Sequence, residues 1–415
     1  MINPVNLVTK KENSKFRFLS LSTGLTHLWR HMNRKLLHLS LFIFVYANAS
    51  FSQQPKPPIM GWSSWNHFHV NIDEKMIREQ ADAMISSGMY AAGYRFINID
   101  DGYFGGRDAN GKLFVNKKFS SGMKALVDYI HSKGLKAGNY TDAGKNTCGS
   151  IYDKDSLGIG VGIYGHIEQD CNLFFKEWGF DFFKVDWCGG EKQKLDEQTE
   201  YTKIINTVKA INNNIVFNIC RWKFPGEWAI KKADSWRISG DIRENFSSIL
   251  KIIDLNADLY KYSSPGHYND MDMLQVGRGM SYDEDKTHFS MWCLMNSPLL
   301  AGNDLRHMTK QTIEILTNKE VIALNQDKGF VQATRVAKEN DVEVWLKPLG
   351  KGKSKAIAIM NRGEETSFTL KADKFNISKK SKLRDLWLHK DLSAVMGSGK
   401  TFTLPKHGIV VLKVD

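Results

Sequence analysis

The stretch Phe182-Phe183-Lys184-Val185-Asp186-Trp187-Cys188 begins apolar and ends in a cation, a carboxylate and a thiol. A buried parallel strand reads this way where its C-terminal tip opens into a site. The pattern recurs along the chain. Arg95 to Asp100 runs into Asp101, and 136–142 ends with Tyr140 and Asp142. The segment 215–221 ends in Arg221, 235–241 carries Arg237 and Asp241, and 266–274 carries Asp270 and Asp272; the first apolar run closes on Trp65. Together these types suit a carbohydrate. Carboxylates and cations each bond neighbouring hydroxyls, and an aromatic ring receives the apolar face of a sugar. Two carboxylates on different strands, one ionised and one protonated, are the equipment of glycoside hydrolysis.

Such tips need a frame that brings them to one rim. Between the strands lie segments of helical period at 73–90, 122–133, 167–178, 195–211, 226–232, 245–257, 283–296 and 309–318, with Asp73 placed to cap the first. A last strand is read at 298–304. Eight strand–helix units over roughly 270 residues predict a (β/α)8 TIM barrel, in which residues at the C-terminal strand ends face the mouth. After about Gly329 the period changes to short alternating strands separated by Gly, Asn and Lys turns, which predicts a small antiparallel β-sandwich. The domains expected are therefore 53–328 and 329–415. The glycine-rich piece 158–165 has no strand before it and no Lys-Ser/Thr after it, so it reads as a mobile loop and not as a phosphate cradle.

Composition is that of an ordinary globular protein, with a net charge of +12. Half of that charge lies in the first fifty residues, where seven basic residues face only Glu12. They precede the apolar run Leu36–Ala47 and the small-residue pattern Ala47-Asn48-Ala49, the layout of a secretory signal with cleavage near Ala49. Residues 1–52 are thus expected to be an export region, with Met32 a more typical start than Met1. The run is too short to span a bilayer comfortably, so no stable membrane span is expected and the protein should be periplasmic or secreted. The remaining basic residues are scattered and accompany no groove-reading motif, which excludes nucleic acid as a partner. The five cysteines show no zinc spacing. His67 and His69 read as surface residues. No metal or cofactor is expected.

The motifs Gly61-Trp62-x-x-Trp65, Ile99-Asp100-Asp101, Tyr140-Thr141-Asp142-Ala143-Gly144, Lys184-Val185-Asp186-Trp187-Cys188, Trp236 to Asp241, Asn269-Asp270-x-Asp272-Met273 and Asn303 to Arg306 resemble, in matching order, those of glycoside hydrolase family 27. That family contains α-galactosidases and α-N-acetylgalactosaminidases. The resemblance covers residues 57 to about 330. It implies Asp186 as nucleophile and Asp241 as acid/base. Substrate-binding roles would fall to Trp65, Asp100, Asp101, Tyr140, Lys184, Arg221, Arg237 and Asp272, with a disulfide between Cys148 and Cys188. The implied substrate is a terminal α-galactoside of an oligosaccharide, polysaccharide or glycoconjugate, cleaved with retention by a monomer or small homo-oligomer.

Three departures from the family pattern bear on substrate choice. Gly102 replaces a Cys, Met271 replaces a Pro, and Arg221 stands where galactosidases carry a Glu that touches O2. Arg has no acceptor. The alternatives are a β-L-arabinopyranosidase, an α-N-acetylgalactosaminidase, for which Arg221 and Phe224 are bulky, and, from another class, a non-catalytic carbohydrate-binding protein.

Overall fold

The computed structural model describes residues 56–378, 380–393 and 399–415. The expected export signal and its cleavage point lie outside the described residues.

Eight short parallel strands form one sheet: β1 (Met60–Ser63), β2 (Phe96–Asn98), β5 (Lys136–Asp142), β6 (Phe182–Asp186), β7 (Val216–Ile219), β8 (Ser235–Arg237), β9 (Tyr268–Asp270) and β10 (Leu299–Ala301). The hairpin β3 (Phe104–Arg107) and β4 (Leu113–Val115) stands apart from it. β1 pairs with both β2 and β10. Beyond β9, Leu274 bridges to Ala301, with its N–H 2.7 Å from the Leu300 carbonyl. The sheet closes there, giving the expected barrel.

Side chains alternate across each strand. Along β2 and its continuation to Ile99, β6 and β7, the outward set (Ile97, Ile99, Phe183, Val185, Phe217) belongs to the large apolar core. The inward set begins with Phe96, Phe182 and Val216, a separate apolar cluster that plugs the barrel floor. Helices start where the sequence offers caps. Asp73 accepts from the Met76 N–H ahead of Glu74–Ser86, Asp196 from Thr199 ahead of Glu197–Ile211, and Ser281 forms a capping box with Glu284 ahead of Tyr282–Leu294.

Some elements were not expected from the sequence. The hairpin β3/β4 and a helix at Lys319–Asn325 have no counterpart among the segments read from the sequence, and the predicted helix 167–178 changes to a wider π turn over Leu173–Trp178. The glycine-rich loop, read as mobile, is clamped. Arg107 donates to the carbonyls of Gly160, Val161 and Gly162 while pairing with buried Asp170 at 2.6 Å.

The second domain is a six-stranded antiparallel sheet, in order β11 (Thr334–Glu339), β12 (Val342–Pro348), β13 (Lys355–Asn361), β18 (Ile409–Val414), β15 (Leu383–Asp385), β16 (Lys390–Leu392). The pair β14 (Thr366–Leu370) and β17 (Lys400–Leu404) faces it across an apolar core. It is bonded to the barrel helices, with Trp387 Nε1 donating to Ser290 Oγ and His407 Nδ1 lying 2.7 Å from Glu284.

Cys148 and Cys188 are joined, their Cα atoms 5.2 Å apart, while Cys171, Cys220 and Cys293 are free and buried. The bridge ties the loop after β5 to the tip of β6. In denaturant, thiol titration should find three thiols without reductant and five with it. Removing the bridge is expected to cost about 2–4 kcal/mol of stability; five thiols in the unreduced protein would contradict it.

Candidate active site

The tip of β6 sets the centre of the site. Lys184 and Asp186 alternate with outward Val185, so both face the barrel axis. Lys184 Nζ lies 2.9 Å from Asp100 Oδ2 and 3.6 Å from Asp186 Oδ1, and 5.3 Å from the centre of the Tyr140 ring. Asp100 is fixed in turn, since its N–H is bonded to Ser64 Oγ and its Oδ1 accepts from the Asp101 N–H. Asp186 is almost fully buried. Burial pushes its carboxyl up to about 6, Lys184 pulls it down and the charge of Asp100 pushes it up again. Burial outweighs the pull of Lys184. The Cys148 sulfur lies 3.1 Å from Asp186 Oδ2. In a disulfide that sulfur has no proton to donate, so the contact is packing and not a hydrogen bond.

Across the mouth, Arg237 is buried and forks between two carboxylates. Its Nη2 is 3.0 Å from Asp241 Oδ1 and 2.6 Å from Asp272 Oδ2, and its Nη1 is 3.6 Å from Cys220 Sγ. Asp241 is the open member, its side chain 63% exposed. Asp272 sits at φ 75°, a conformation costly for a residue with a Cβ. It is held there by bonds from Ile242 N and Met273 N to its carboxylate, and by its own N–H to Asp270 Oδ1. Burial pushes Asp272 up to about 6 against the pull of Arg237.

The cavity beneath has about 420 Å³ of empty space, solvent included, and is lined by Asp100, Tyr140, Lys184, Arg237, Asp270 and Asp272. Ser63, Asn98, Asn218 and Met273 also line it, and sequence reasoning passed over them. Asn98 lies two residues before Asp100 and Asn218 two before Cys220, so strand alternation was the available signal.

Three expected binding residues lie outside this cavity lining. Trp65 is half-buried on the short helix Trp65–Phe68, its ring 5.1 Å from that of His69. Asp101 is fully buried and accepts from the N–H groups of Gly102 and Gly149. Arg221 Nε is 2.5 Å from Glu197 Oε2, in the first turn of helix Glu197–Ile211. Cys220, one residue earlier, is the side chain that turns to Arg237.

Two departures have local causes. Gly102 has φ +111°, and a Cβ there would meet the Val70 carbonyl at 2.6 Å, so Cys does not fit. The Met271 N–H donates to Ser297 Oγ, a bond that Pro could not make.

Burial raises a whole set of carboxyls: Asp101, Asp142 and Asp285 to about 7, Asp186 and Asp272 to about 6. For these the folded protein binds the proton more tightly than the unfolded chain. Their contribution to stability is full below about pH 4 and is lost as pH rises through 6–7. His288, buried and lowered to about 3, and His67, lowered mainly by burial, work in the opposite sense. Five groups against two predict a higher Tm at pH 5 than at pH 7.5, read by differential scanning calorimetry. A lower Tm at pH 5 would contradict the burial of these carboxyls.

A (β/α)8 barrel whose C-terminal rim brings together paired carboxylates, Lys184 and Arg237 is built as a glycoside hydrolase. The chain belongs to the alpha galactosidase A family, whose model matches residues 57–327, and the model of the alpha galactosidase C-terminal beta sandwich domain matches residues 339–414. It is 43% identical to alpha-galactosidase A of Cellvibrio japonicus (strain Ueda107) over 407 residues, covering 91% of this chain and 96% of the relative. It is 44% identical to alpha-galactosidase 2 of Arabidopsis thaliana over 346 residues, covering 81% and 84%. The crystal structure of alpha-galactosidase I from Mortierella vinacea superposes with a TM-score of 0.79 at 31% identity, over 88% of this chain and 98% of that one.

Proposed function

We propose that the protein is an exported, retaining α-galactosidase. In this reading 1–52 direct export, 53–328 carry catalysis and 329–415 form the β domain. The observation that carries the mechanism is the pairing of a buried carboxylate, Asp186, held beside Lys184, with an open carboxylate, Asp241, held by Arg237. Asp186 attacks the anomeric carbon while Asp241 gives its proton to the leaving oxygen. The C–O bond to the aglycone breaks as the bond to Asp186 forms, giving a β-linked glycosyl-enzyme. Water then attacks with Asp241 as base, and the Asp186 ester bond breaks to release α-galactose.

Lys184, Asp100, Tyr140 and Arg237 line the cavity and would bond the sugar hydroxyls, with Asp272 setting Arg237. Trp65 would face the sugar at the rim, and Asp101 would act by fixing the Gly149 backbone. Arg221, paired with Glu197, leaves no acceptor of its own for O2. Phe224, stacked on Tyr262 at 4.6 Å, is bulky in the loop where an acetamide would need small side chains. These two side chains support galactose over N-acetylgalactosamine. Side-by-side assay of the nitrophenyl α-galactoside, β-L-arabinopyranoside and α-N-acetylgalactosaminide tests the reading. Fastest turnover is expected on the galactoside; preference for either other sugar would replace it, and inactivity on all three would favour a binding protein.

A further inference from the structure

A second polar cleft opens on the same end of the barrel, with about 670 Å³ of empty space, solvent included. It is lined by His67, Arg278, Asn303, Asp304, His307 and Thr309. These come from the loops that follow β1, β9 and β10, so the cleft shares the catalytic face. Its charge is unbalanced. The one carboxylate in the lining, Asp304, is already taken by Arg306 at 2.7 Å and by Gln80 Nε2 at 2.6 Å.

Arg278 is left without an equal partner. Its side chain is only 12% exposed, and the one carboxylate near it among the described residues is Glu244, at 3.5 Å and half exposed. Nη1 donates to the Gly302 carbonyl and meets His67 Nδ1 at 3.4 Å, while Nε is buried with no hydrogen-bond partner among the described residues. Burying a guanidinium without full compensation is costly. The strain shows in its neighbours: burial and then the charge of Arg278 hold His67 below its ordinary range, and burial lowers Arg278 itself. Glu244 lies three residues beyond Asp241. The loop 241–244 therefore joins the cleft to the group that, in the function proposed above, protonates the leaving oxygen.

We propose that this cleft is an anion-accepting subsite for an oxyanion, carboxylate or sulfate, carried by the aglycone of the galactoside. Arg278 supplies the charge, the His67 and His307 rings supply further donors, and Glu244 gives way to the ligand. The proposal rests on the galactosidase reading, but its ligand can be tested without turnover.

The kinetic probes are 4-carboxyphenyl α-galactoside and its uncharged isostere, 4-carbamoylphenyl α-galactoside, compared at low ionic strength. Taking the ratio of kcat/KM for the two and comparing it between variants cancels their intrinsic reactivity. Arg278→Gln should lower the ratio about tenfold with the neutral substrate unaffected, and Glu244→Gln, at an exposed position, should raise it. Inorganic sulfate, titrated calorimetrically into the unmodified protein, should bind, and the binding should be lost in Arg278→Gln. An unchanged ratio in both variants, or sulfate binding indifferent to Arg278, overturns the subsite. If Arg278→Gln fails to fold, the Glu244→Gln ratio decides alone. Wild-type inactivity on the neutral galactoside would overturn the proposed function instead, and the sulfate titration would still decide the cleft.

Discussion

Asp186→Asn is expected to lower kcat by roughly 10⁴-fold or more while leaving the fold intact. The amide keeps the shape of the carboxylate but cannot form the glycosyl ester. The change also removes a buried charge whose Oδ1 has no hydrogen-bond partner among the described residues. Lys184 is not stranded, because Asp100 remains 2.9 Å from its Nζ. Lost activity with unchanged circular dichroism and an equal or higher Tm is the expected result. The stereochemical counterpart uses the wild-type enzyme. Attack by Asp186 and then by water inverts the anomeric carbon twice, so proton NMR should show the α-anomer of galactose before mutarotation. Initial appearance of the β-anomer would remove Asp186 as nucleophile, and near-normal turnover by the Asn variant would do the same.

Asp241→Ala should separate the two chemical steps. A substrate with a good leaving group needs little protonation, so the glycosyl-enzyme still forms. Its hydrolysis lacks a base and should slow by on the order of 10²–10⁴-fold. Substrates with poor leaving groups should slow in both steps. Azide, which needs no base, should restore turnover and give a β-galactosyl azide. The variant should fold: Asp241 is exposed, and Arg237 keeps Asp272 at 2.6 Å when its second carboxylate is removed. Equal slowing on all leaving groups, with no response to azide, would assign Asp241 another role.

The barrel, its C-terminal β domain and the strand tips could be read from the sequence because each signal is local. β5 (Lys136–Asp142) is found where the alternation placed it, and the helix after Asp73 starts where the cap predicts. Neither needs knowledge of a distant residue. The missed elements lack that local support. The hairpin β3/β4 has a weak alternating pattern broken by Gly105 and Gly106, and helix Lys319–Asn325 is only two turns long and follows the preceding helix after two residues, too short for a period of its own.

Residue types and the period of two along each strand determined by themselves that Lys184, Asp186, Asp100 and Arg237 would meet at one rim, since a parallel strand can present its tip residues only there. The tertiary structure decided what each group does on arrival. Adjacent Asp100 and Asp101 part company: one is bonded to Lys184 and the other to the Gly149 backbone. Arg221 meets Glu197, 24 residues away, outside the cavity lining. Asp186 is raised to about 6 although Lys184 stands beside it. The physical reason is common to all three. A side chain's partner and its proton affinity depend on distances and desolvation fixed by segments far apart in the chain, and strand periodicity carries no record of either.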